Sequence, residues 1–222
     1  MDRFQRFNNY ARVALASVAS AVAVLILDAT SAFLKNRLLG GVAAVLFVSI
    51  LALVGSNILE TAVEKSIRMR RWIAEDDFIE GWWIDLADEP TGGSHRHASI
   101  QQITYREGTF DVSGSSFLRS GERLATWSSV ACHYSRRTLF VVYEAQTSLV
   151  GGGFERGLVQ MQFDRPPTSY SGYLHDFSGQ VIRSLRGEKV SNDDFVRHNG
   201  LQTVADRLML LQSRVPGWGS IS

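Results

Sequence analysis

The first third of the chain is dominated by two long apolar stretches. Residues 13–34 contain one charged residue, Asp28, and residues 38–59 contain none. About 20 apolar helical residues cross a bilayer hydrocarbon core about 30 Å thick, so each stretch is long enough to span it. The pattern therefore predicts two transmembrane α-helices, joined by a tight turn that carries Lys35 and Arg37.

From residue 78 the hydrophobic pattern changes to the period of two that is typical of β-strands. Turn-forming residues divide this part into eight predicted strands, at 78–86, 98–105, 109–117, 124–134, 138–146, 155–163, 169–177 and 180–190. Short connections without an intervening amphipathic helix predict an antiparallel up-and-down meander. Eight such strands close readily into a β-barrel, whose interior is either filled by side chains or holds one small ligand.

A helical pattern follows the last predicted strand. Asn192 or Asp193 can serve as N-cap of a helix at 193–213, whose apolar face consists of Phe195, Leu201, Val204, Ala205, Leu208 and Leu211. We expect this helix to pack on the barrel or to close one of its mouths. The predicted organisation is a transmembrane hairpin with a basic link at 1–71, a ligand-binding β-barrel at 72–191, and a C-terminal helix and tail at 192–222.

Charge is distributed unevenly, although the formal net charge is only +1. Residues 1–71 carry nine Lys or Arg against four Asp or Glu, whereas residues 72–222 carry fourteen against eighteen. Basic residues flank both apolar stretches, which predicts that both termini lie in the cytoplasm. The net negative charge of the second part argues against DNA or RNA as a partner, because binding to the phosphate backbone depends on many Lys and Arg contacts.

Candidate ligand contacts come from the predicted strands. Arg156 falls inside the sixth strand, where a guanidinium facing the barrel interior would bind phosphate; the alternative is a salt bridge on the outer face. Rings from four strands could converge inside the barrel and stack planar bases, although each is also a candidate core residue: Tyr105, Trp127, Tyr143 and Tyr173. At the start of the first strand, Trp82 and Trp83 follow Gly81, and we expect at least one indole to pack the closed end.

Signatures of catalysis are weak in this sequence. His95 and His97 lack a further ligand at a recognisable zinc spacing. The chain contains neither a nucleophile elbow nor a phosphate-binding loop with its lysine. A single cysteine, Cys132, allows no intrachain disulfide and no cysteine-rich metal site. We therefore expect no enzymatic activity, no metal and no cofactor.

Several short motifs stand in a defined order behind the two apolar stretches. They are Gly81-Trp82-Trp83, Phe110-Asp111-Val112-Ser113-Gly114-Ser115, Trp127-Ser128-Ser129, Phe140-Val141-Val142-Tyr143 and Ser171-Gly172-Tyr173-Leu174. In this order the chain, over roughly residues 10–190, resembles the two-transmembrane, β-strand-rich effectors of bacterial CBASS (cyclic-oligonucleotide-based antiphage signalling) systems.

The resemblance implies a cytoplasmic eight-stranded barrel that binds a cyclic dinucleotide made by a cognate nucleotidyltransferase after phage infection. Binding of this activating ligand would promote homo-oligomerisation. The two spans would then disrupt the lipids of the bacterial inner membrane, which kills the infected cell (abortive infection). An alternative hypothesis rests on the barrel and the Gly-x-Trp start alone: a membrane-tethered, lipocalin-like binder of lipid or another small hydrophobic ligand.

Overall fold

The computed structural model describes residues 3–31, 37–88, 97–148, 153–177 and 181–215. The chain divides into two compact units, Met1–Glu75 and Asp76–Ser222. In the described ranges the first unit is helical, and the second contains the strands together with the C-terminal helices. The helical segment after residue 191 therefore packs with the strands as part of one unit.

Among its described residues the first unit has three helices: α1 (Arg3–Ser31), α2 (Arg37–Lys65) and α3 (Ile67–Ala74). The first two coincide with the apolar stretches, and Ser66 caps α3 by accepting a hydrogen bond from the Met69 amide. Within the described ranges, the segment Val45–Val63 of α2 is long and apolar enough to cross a membrane, whereas the apolar segment of α1, Asn9–Leu25, is shorter. The two predicted helices are confirmed, but the prediction of two membrane spans is supported for α2 alone.

Large apolar side chains cover the outside of α1 and α2. They include Val18, Val24, Leu25, Val45, Leu46, Ile50, Leu53 and Ile58, all exposed. Small residues lie where the two helices pack, with Ala19 and Ala23 buried. Serine hydroxyls donate to carbonyls one turn back in their own helix, as Ser17 does to Val13 at 2.9 Å and Ser49 to Val45 at 2.9 Å. Both features are typical of helices surrounded by lipid, where polar groups must be satisfied internally.

The second unit is a closed antiparallel barrel in which consecutive strands pair and β1 pairs with β8. After a 3₁₀ turn at Glu75–Asp77, the strands are β1 (Gly81–Asp88), β2 (His97–Arg106), β3 (Thr109–Leu118), β4 (Arg123–Ser135), β5 (Thr138–Thr147), β6 (Phe154–Phe163), β7 (Ser169–Asp176) and β8 (Val181–Lys189). Each predicted strand is present, and apart from the start of β1 the ends lie close to those expected. The eight-stranded up-and-down barrel is thus confirmed.

The first strand begins later than predicted because the residues before it plug one end of the barrel. Phe78 and Ile79 are buried rather than paired in the sheet. The Ile79 carbonyl accepts a hydrogen bond from the Trp83 indole at 2.9 Å, and the Phe78 carbonyl accepts one from Lys189 at 2.9 Å. Gly81 has φ 129°, a left-handed conformation that side chains disfavour, and it turns the chain from this plug into β1.

A connected cluster of aromatic rings closes the same end, and we call it the floor. Trp83 packs against Phe163 and Tyr170 with ring centroids 5.0 and 5.5 Å apart. The contacts continue from Phe163 through further rings of the cluster, namely Tyr134, Phe110 and Tyr105. Trp83 is fully buried, which confirms that one indole of the Gly-Trp-Trp start packs the closed end.

The C-terminal segment is two helices rather than the single helix expected at 193–213. Helix α4 (Asn192–Arg197) is followed by a 3₁₀ turn at Asn199–Leu201, in which Gly200 has φ 69°, and then by α5 (Val204–Arg214). Thr203 and Asp206 form a capping box that starts α5 anew. The break arises because Gly200 takes a left-handed conformation and a fresh N-cap follows it.

The second of these helices packs on the outer face of the barrel, not across a mouth. Its buried leucines join strand residues in one apolar cluster consisting of Ala98, Ile100, Phe117, Leu201, Leu210 and Leu211. Trp82, the second indole of the Gly-Trp-Trp start, packs against this cluster and lies 5.0 Å from the Arg207 guanidinium. The outer wall formed by β1, β2 and β3 is therefore covered by the C-terminal helix.

Candidate functional site

The half of the barrel interior away from the floor is not filled by side chains. A cavity of about 400 Å³ remains there, which we call the lumen. Its wall comprises Asp85, His97, Ser99, Gln101, Ser116, Leu124, Ala125, Trp127, Tyr143, Ala145, Thr147, Gly153, Glu155, Val159, Leu174, Asp176, Arg183 and Leu185. A volume of this size is within the range of natural small-molecule sites.

Glycines on the strands make room for the aromatic rings inside the barrel. Trp127 lies directly across the strand pair from Gly114, and Tyr143 directly across from Gly157. A Cβ at residue 114 would meet the Trp127 ring at 2.8 Å, and one at residue 157 would meet the Tyr143 hydroxyl at 2.5 Å. Each ring therefore occupies the space that a side chain on the neighbouring strand would fill.

A buried chain of polar groups runs along the deep wall of the lumen. The Gln101 amide nitrogen donates to the Tyr170 hydroxyl at 2.6 Å, and Tyr170 donates to the Asp85 carboxylate at 3.0 Å. Burial raises the pKa of Asp85 to about 6, an effect that hydrogen bonds from Tyr170 and Ser99 partly offset. Burial and the neighbouring Asp85 charge hold the pKa of Tyr170 well above its ordinary value. Near neutral pH Tyr170 is therefore a donor and Asp85 is largely ionised.

His97 and Arg183 form a second polar group in the same wall. Arg183 Nη1 lies 3.5 Å from His97 Nδ1. Burial lowers the pKa of His97 to about 4, and the Arg183 charge adds to the effect, so the imidazole is neutral at pH 7. Because a guanidinium only donates, His97 Nδ1 is the acceptor of this pair.

The lumen is mixed in charge rather than basic. Among the described residues of its wall, Arg183 is the one Lys or Arg, whereas Asp85, Glu155 and Asp176 are acidic. Burial raises the pKa of Tyr143 to about 12, and the charges of Asp176 and Glu155 contribute to the rise. Tyr143 therefore remains protonated and can donate a hydrogen bond at any physiological pH.

Two of the five predicted ligand contacts face away from the lumen. Arg156 lies on the outer wall, where it forms an ion pair with its cross-strand partner Glu144. The expectation that Arg156 faces the interior is therefore wrong, and the alternative of an outer salt bridge is correct. Tyr173 is also on the outer wall and is 58% exposed, so it cannot stack a base inside the barrel.

The other three predicted residues point inward but not to the same place. Trp127 and Tyr143 line the lumen, with ring centroids 6.1 Å apart. Tyr105 is buried against Phe110 in the floor, 5.2 Å between centroids, and is not part of the lumen wall. The structure thus brings together two of the five predicted side chains.

Arg183, Gln101 and Asp85 are lumen residues that sequence reasoning missed. Arg156 was assigned to the wrong face of β6. In this strand Gly157, Val159 and Met161 are buried, so the odd-numbered positions face inward and the even-numbered positions face outward. Glycines within the strands could have indicated which face of each strand points inward. Gly157 marks the inward face of β6, and Gly187 marks the inward face of β8, to which Arg183 belongs.

No site for a metal emerges from the part of the chain that the structure describes. Within those ranges, no group of three or more His, Cys, Asp or Glu side chains is placed to hold an ion. His97 lies at the start of β2 and faces the lumen, whereas His95 lies outside the described residues. The prediction about this histidine pair therefore lies partly outside the described residues.

Comparisons with known proteins add little to this description. No protein-family model matches the chain. No curated protein matches it either. Among solved structures, a redesigned β-barrel, mFAP1, determined bound to DFHBI, matches with a TM-score of 0.39 and 13% identity, covering 52% of this chain and 97% of that chain. The barrel is established by its own strand pairing.

Proposed function

We propose that this protein is a membrane-associated barrel that binds a small polar ligand in its lumen. The observation that carries the proposal is a cavity of about 400 Å³ whose wall contains buried polar atoms without a partner among the described residues. These atoms are Gln101 Oε1 and Arg183 Nε. Buried polar groups in folded proteins are nearly always paired, so we expect a ligand in the lumen to supply the missing partners.

At a finer level, we propose that the ligand is a cyclic dinucleotide made by a cognate nucleotidyltransferase. Trp127 and Tyr143 would stack the bases, and Arg183 would take the phosphate role first assigned to Arg156. The acidic residues Glu155 and Asp176 oppose a strongly anionic ligand, which limits phosphate contact to the neighbourhood of Arg183. This finer proposal draws on the resemblance to CBASS effectors as well as on the lumen.

The proposed output is membrane disruption after ligand-driven homo-oligomerisation. Support comes from the apolar exteriors of α1 and α2 and from the span Val45–Val63. In this proposal both apolar helices cross the bacterial inner membrane, with both termini in the cytoplasm. The ligand must bind the assembled form more tightly than the free form, since only a difference in affinity shifts the equilibrium. The proposed mechanism needs no catalysis and no cofactor.

A binding experiment tests the coarser proposal. The full chain in lipid nanodiscs is titrated with a panel of cyclic di- and trinucleotides and with decanoate as a lipid-like probe. We expect Ala145→Trp, which fills the lumen, to abolish binding, because Ala145 is buried in its wall. The control is Gln146→Trp on the outer face of the same strand. Equal binding by both variants would show that the lumen is not the site.

A second experiment tests the finer proposal in cells. We expect co-expression with a cyclic-dinucleotide synthase to make the full chain toxic, and deletion of residues 1–64 to remove the toxicity while ligand binding is retained. Toxicity that survives the deletion would exclude the membrane mechanism. If decanoate binds and none of the cyclic nucleotides does, the result would favour the lipocalin-like alternative instead.

A further inference from the structure

Hydrogen bonds orient the Gln101 amide in the deep wall of the lumen. Gln101 is fully buried, and its amide nitrogen donates to Tyr170 at 2.6 Å and approaches Met161 Sδ at 3.7 Å. The Tyr170 hydrogen is directed to Asp85. A reversed amide would place Oε1 against the Tyr170 hydroxyl, which could donate to it only by giving up its bond to the ionised Asp85, and the Met161 contact would be lost as well. The Gln101 side chain therefore keeps Oε1 as an acceptor, and this atom has no partner among the described residues.

The opposite hydrogen-bonding character is found at Arg183. Its guanidinium lies in the same lumen wall, and its buried Nε has no partner within the described ranges. Its neighbour His97 is neutral at pH 7, so the positive charge is not shared with the imidazole. Two residues that line the lumen thus carry buried, unpaired polar atoms of opposite character, an acceptor at Gln101 and a charged donor at Arg183.

Two aromatic side chains also line the lumen wall. The Trp127 indole and the Tyr143 phenol line the lumen, and their rings are inclined by 62° to each other. Planar apolar groups pack favourably against such rings. An acceptor or donor that is buried without a partner destabilises the folded protein. A ligand that satisfies both polar groups and packs against the rings therefore fits the wall better than an aliphatic chain does.

We propose that the lumen selects an aromatic heterocycle that carries a ring N–H and an anionic group. In this assignment Gln101 Oε1 accepts the ring N–H, Arg183 binds the anion, and the ring packs against Trp127 and Tyr143. The inference rests on the proposed function, because both place the ligand in the lumen. Small aromatic acids such as indole-3-acetate and purine nucleotides such as guanosine 5′-monophosphate share this chemistry.

The first arm of the test uses the unaltered full chain in nanodiscs and three matched probes. Indole-3-acetate has both groups, 1-naphthylacetate lacks the ring N–H, and tryptophol lacks the carboxylate. We expect isothermal titration to give indole-3-acetate an affinity about tenfold above each of the other two, the ratio that one hydrogen bond of about 1.4 kcal/mol provides. Guanosine 5′-monophosphate and guanosine form a second matched pair, which differs in the phosphate group. This pair tests whether the ligand is a nucleotide.

The second arm assigns each preference to its residue. Gln101→Met is expected to remove the preference over 1-naphthylacetate, and Arg183→Met the preference over tryptophol. Matched controls on the outer faces of the same strands are Gln102→Met and Arg186→Met, which should leave both preferences intact. Because the probe series is measured first on the unaltered chain, the outcome does not depend on the folding of any variant.

The outcomes separate this inference from the proposed function. Tighter binding of indole-3-acetate or of guanosine 5′-monophosphate than of its matched partners supports the inference and indicates the source of the ligand. Equal affinities within each series, or no binding of either compound, would overturn it. Binding of decanoate alone would overturn the inference while leaving a ligand-binding lumen. Failure of every probe, cyclic nucleotides included, would overturn the proposed function as well.

Discussion

Tyr143 and Gly157 lie directly opposite each other on neighbouring strands, and the tyrosine ring occupies the space of the missing side chain. A Cβ at residue 157 would lie 2.5 Å from the Tyr143 hydroxyl and would also clash with the His175 carbonyl oxygen. Trp127 with Gly114 and Tyr170 with Gly187 repeat the arrangement. Glycine placement thus decides which rings can enter the barrel and how much lumen remains.

The first prediction concerns this pairing. Gly157→Ala should destabilise the protein by about 1–3 kcal/mol or more, because the new methyl group meets a backbone oxygen that cannot move freely. Gly153→Ala is the matched control, since a Cβ at residue 153 would have no described atom within 4 Å. Thermal unfolding followed by near-ultraviolet circular dichroism measures both variants. A Gly157→Ala protein as stable as the parent would contradict the close approach.

The second prediction concerns the helix on the outer wall. Leu210 is fully buried between α5 and the barrel, so Leu210→Ala should cost about 2–5 kcal/mol. Met209, its neighbour, is 49% exposed, and Met209→Ala should cost less than about 1 kcal/mol. Hydrogen exchange at the Trp82 indole reports whether α5 has detached. Similar effects of the two substitutions would argue against the docking of α5 on β1–β3.

The third prediction is a pH dependence at Asp85. Its pKa is raised from 3.8 to about 6 in the folded state, so Asp85 stabilises the fold below about pH 4 and this stability is lost as pH rises through 6. The loss amounts to about 3 kcal/mol for a shift of this size. Unfolding free energies of the parent and Asp85→Asn, measured from pH 4 to 7.5, should therefore diverge in favour of the variant as pH rises.

His97 acts over the same pH range with the opposite sign. Its pKa is lowered from 6.5 to about 4, so its contribution to stability is present above pH 6.5 and is lost as pH falls through 4. The Asp85 comparison is therefore cleanest in a His97→Gln background, where one titration remains. A pH profile that is identical with and without Asp85 in that background would show that the carboxyl is not buried.

The fourth prediction separates two arginines, Arg156 and Arg183, as candidate anion ligands. Arg156→Glu should leave ligand affinity unchanged, because Arg156 is on the outer wall and pairs with Glu144. Arg183→Glu should weaken binding of an anionic ligand at least tenfold, because its guanidinium lines the lumen. Titrations of the two variants side by side decide the matter. Loss of binding in Arg156→Glu alone would reverse the assignment.

Much of the fold could be predicted because local pattern controls it. Period-two alternation and turn residues fixed the strands, and uninterrupted apolar stretches fixed α1 and α2. The membrane prediction is supported in part, with Val45–Val63 as the span among the described residues. The site was harder to predict. Trp127 and Tyr143 were placed correctly, whereas Arg156 and Tyr173 were assigned to the wrong face.

The sequence by itself determined the elements, their order and the uneven division of charge, because these depend on neighbours along the chain. Only the tertiary structure decided which face of each strand became the interior, since closure of β1 on β8 and the docking of α5 set it. Because side chains alternate between the two faces of a strand, Arg183 lies in the lumen and Arg156 lies on the outer wall. The hydrogen-bond chain from Gln101 to Asp85 joins residues distant in sequence, and such contacts leave no periodic signal.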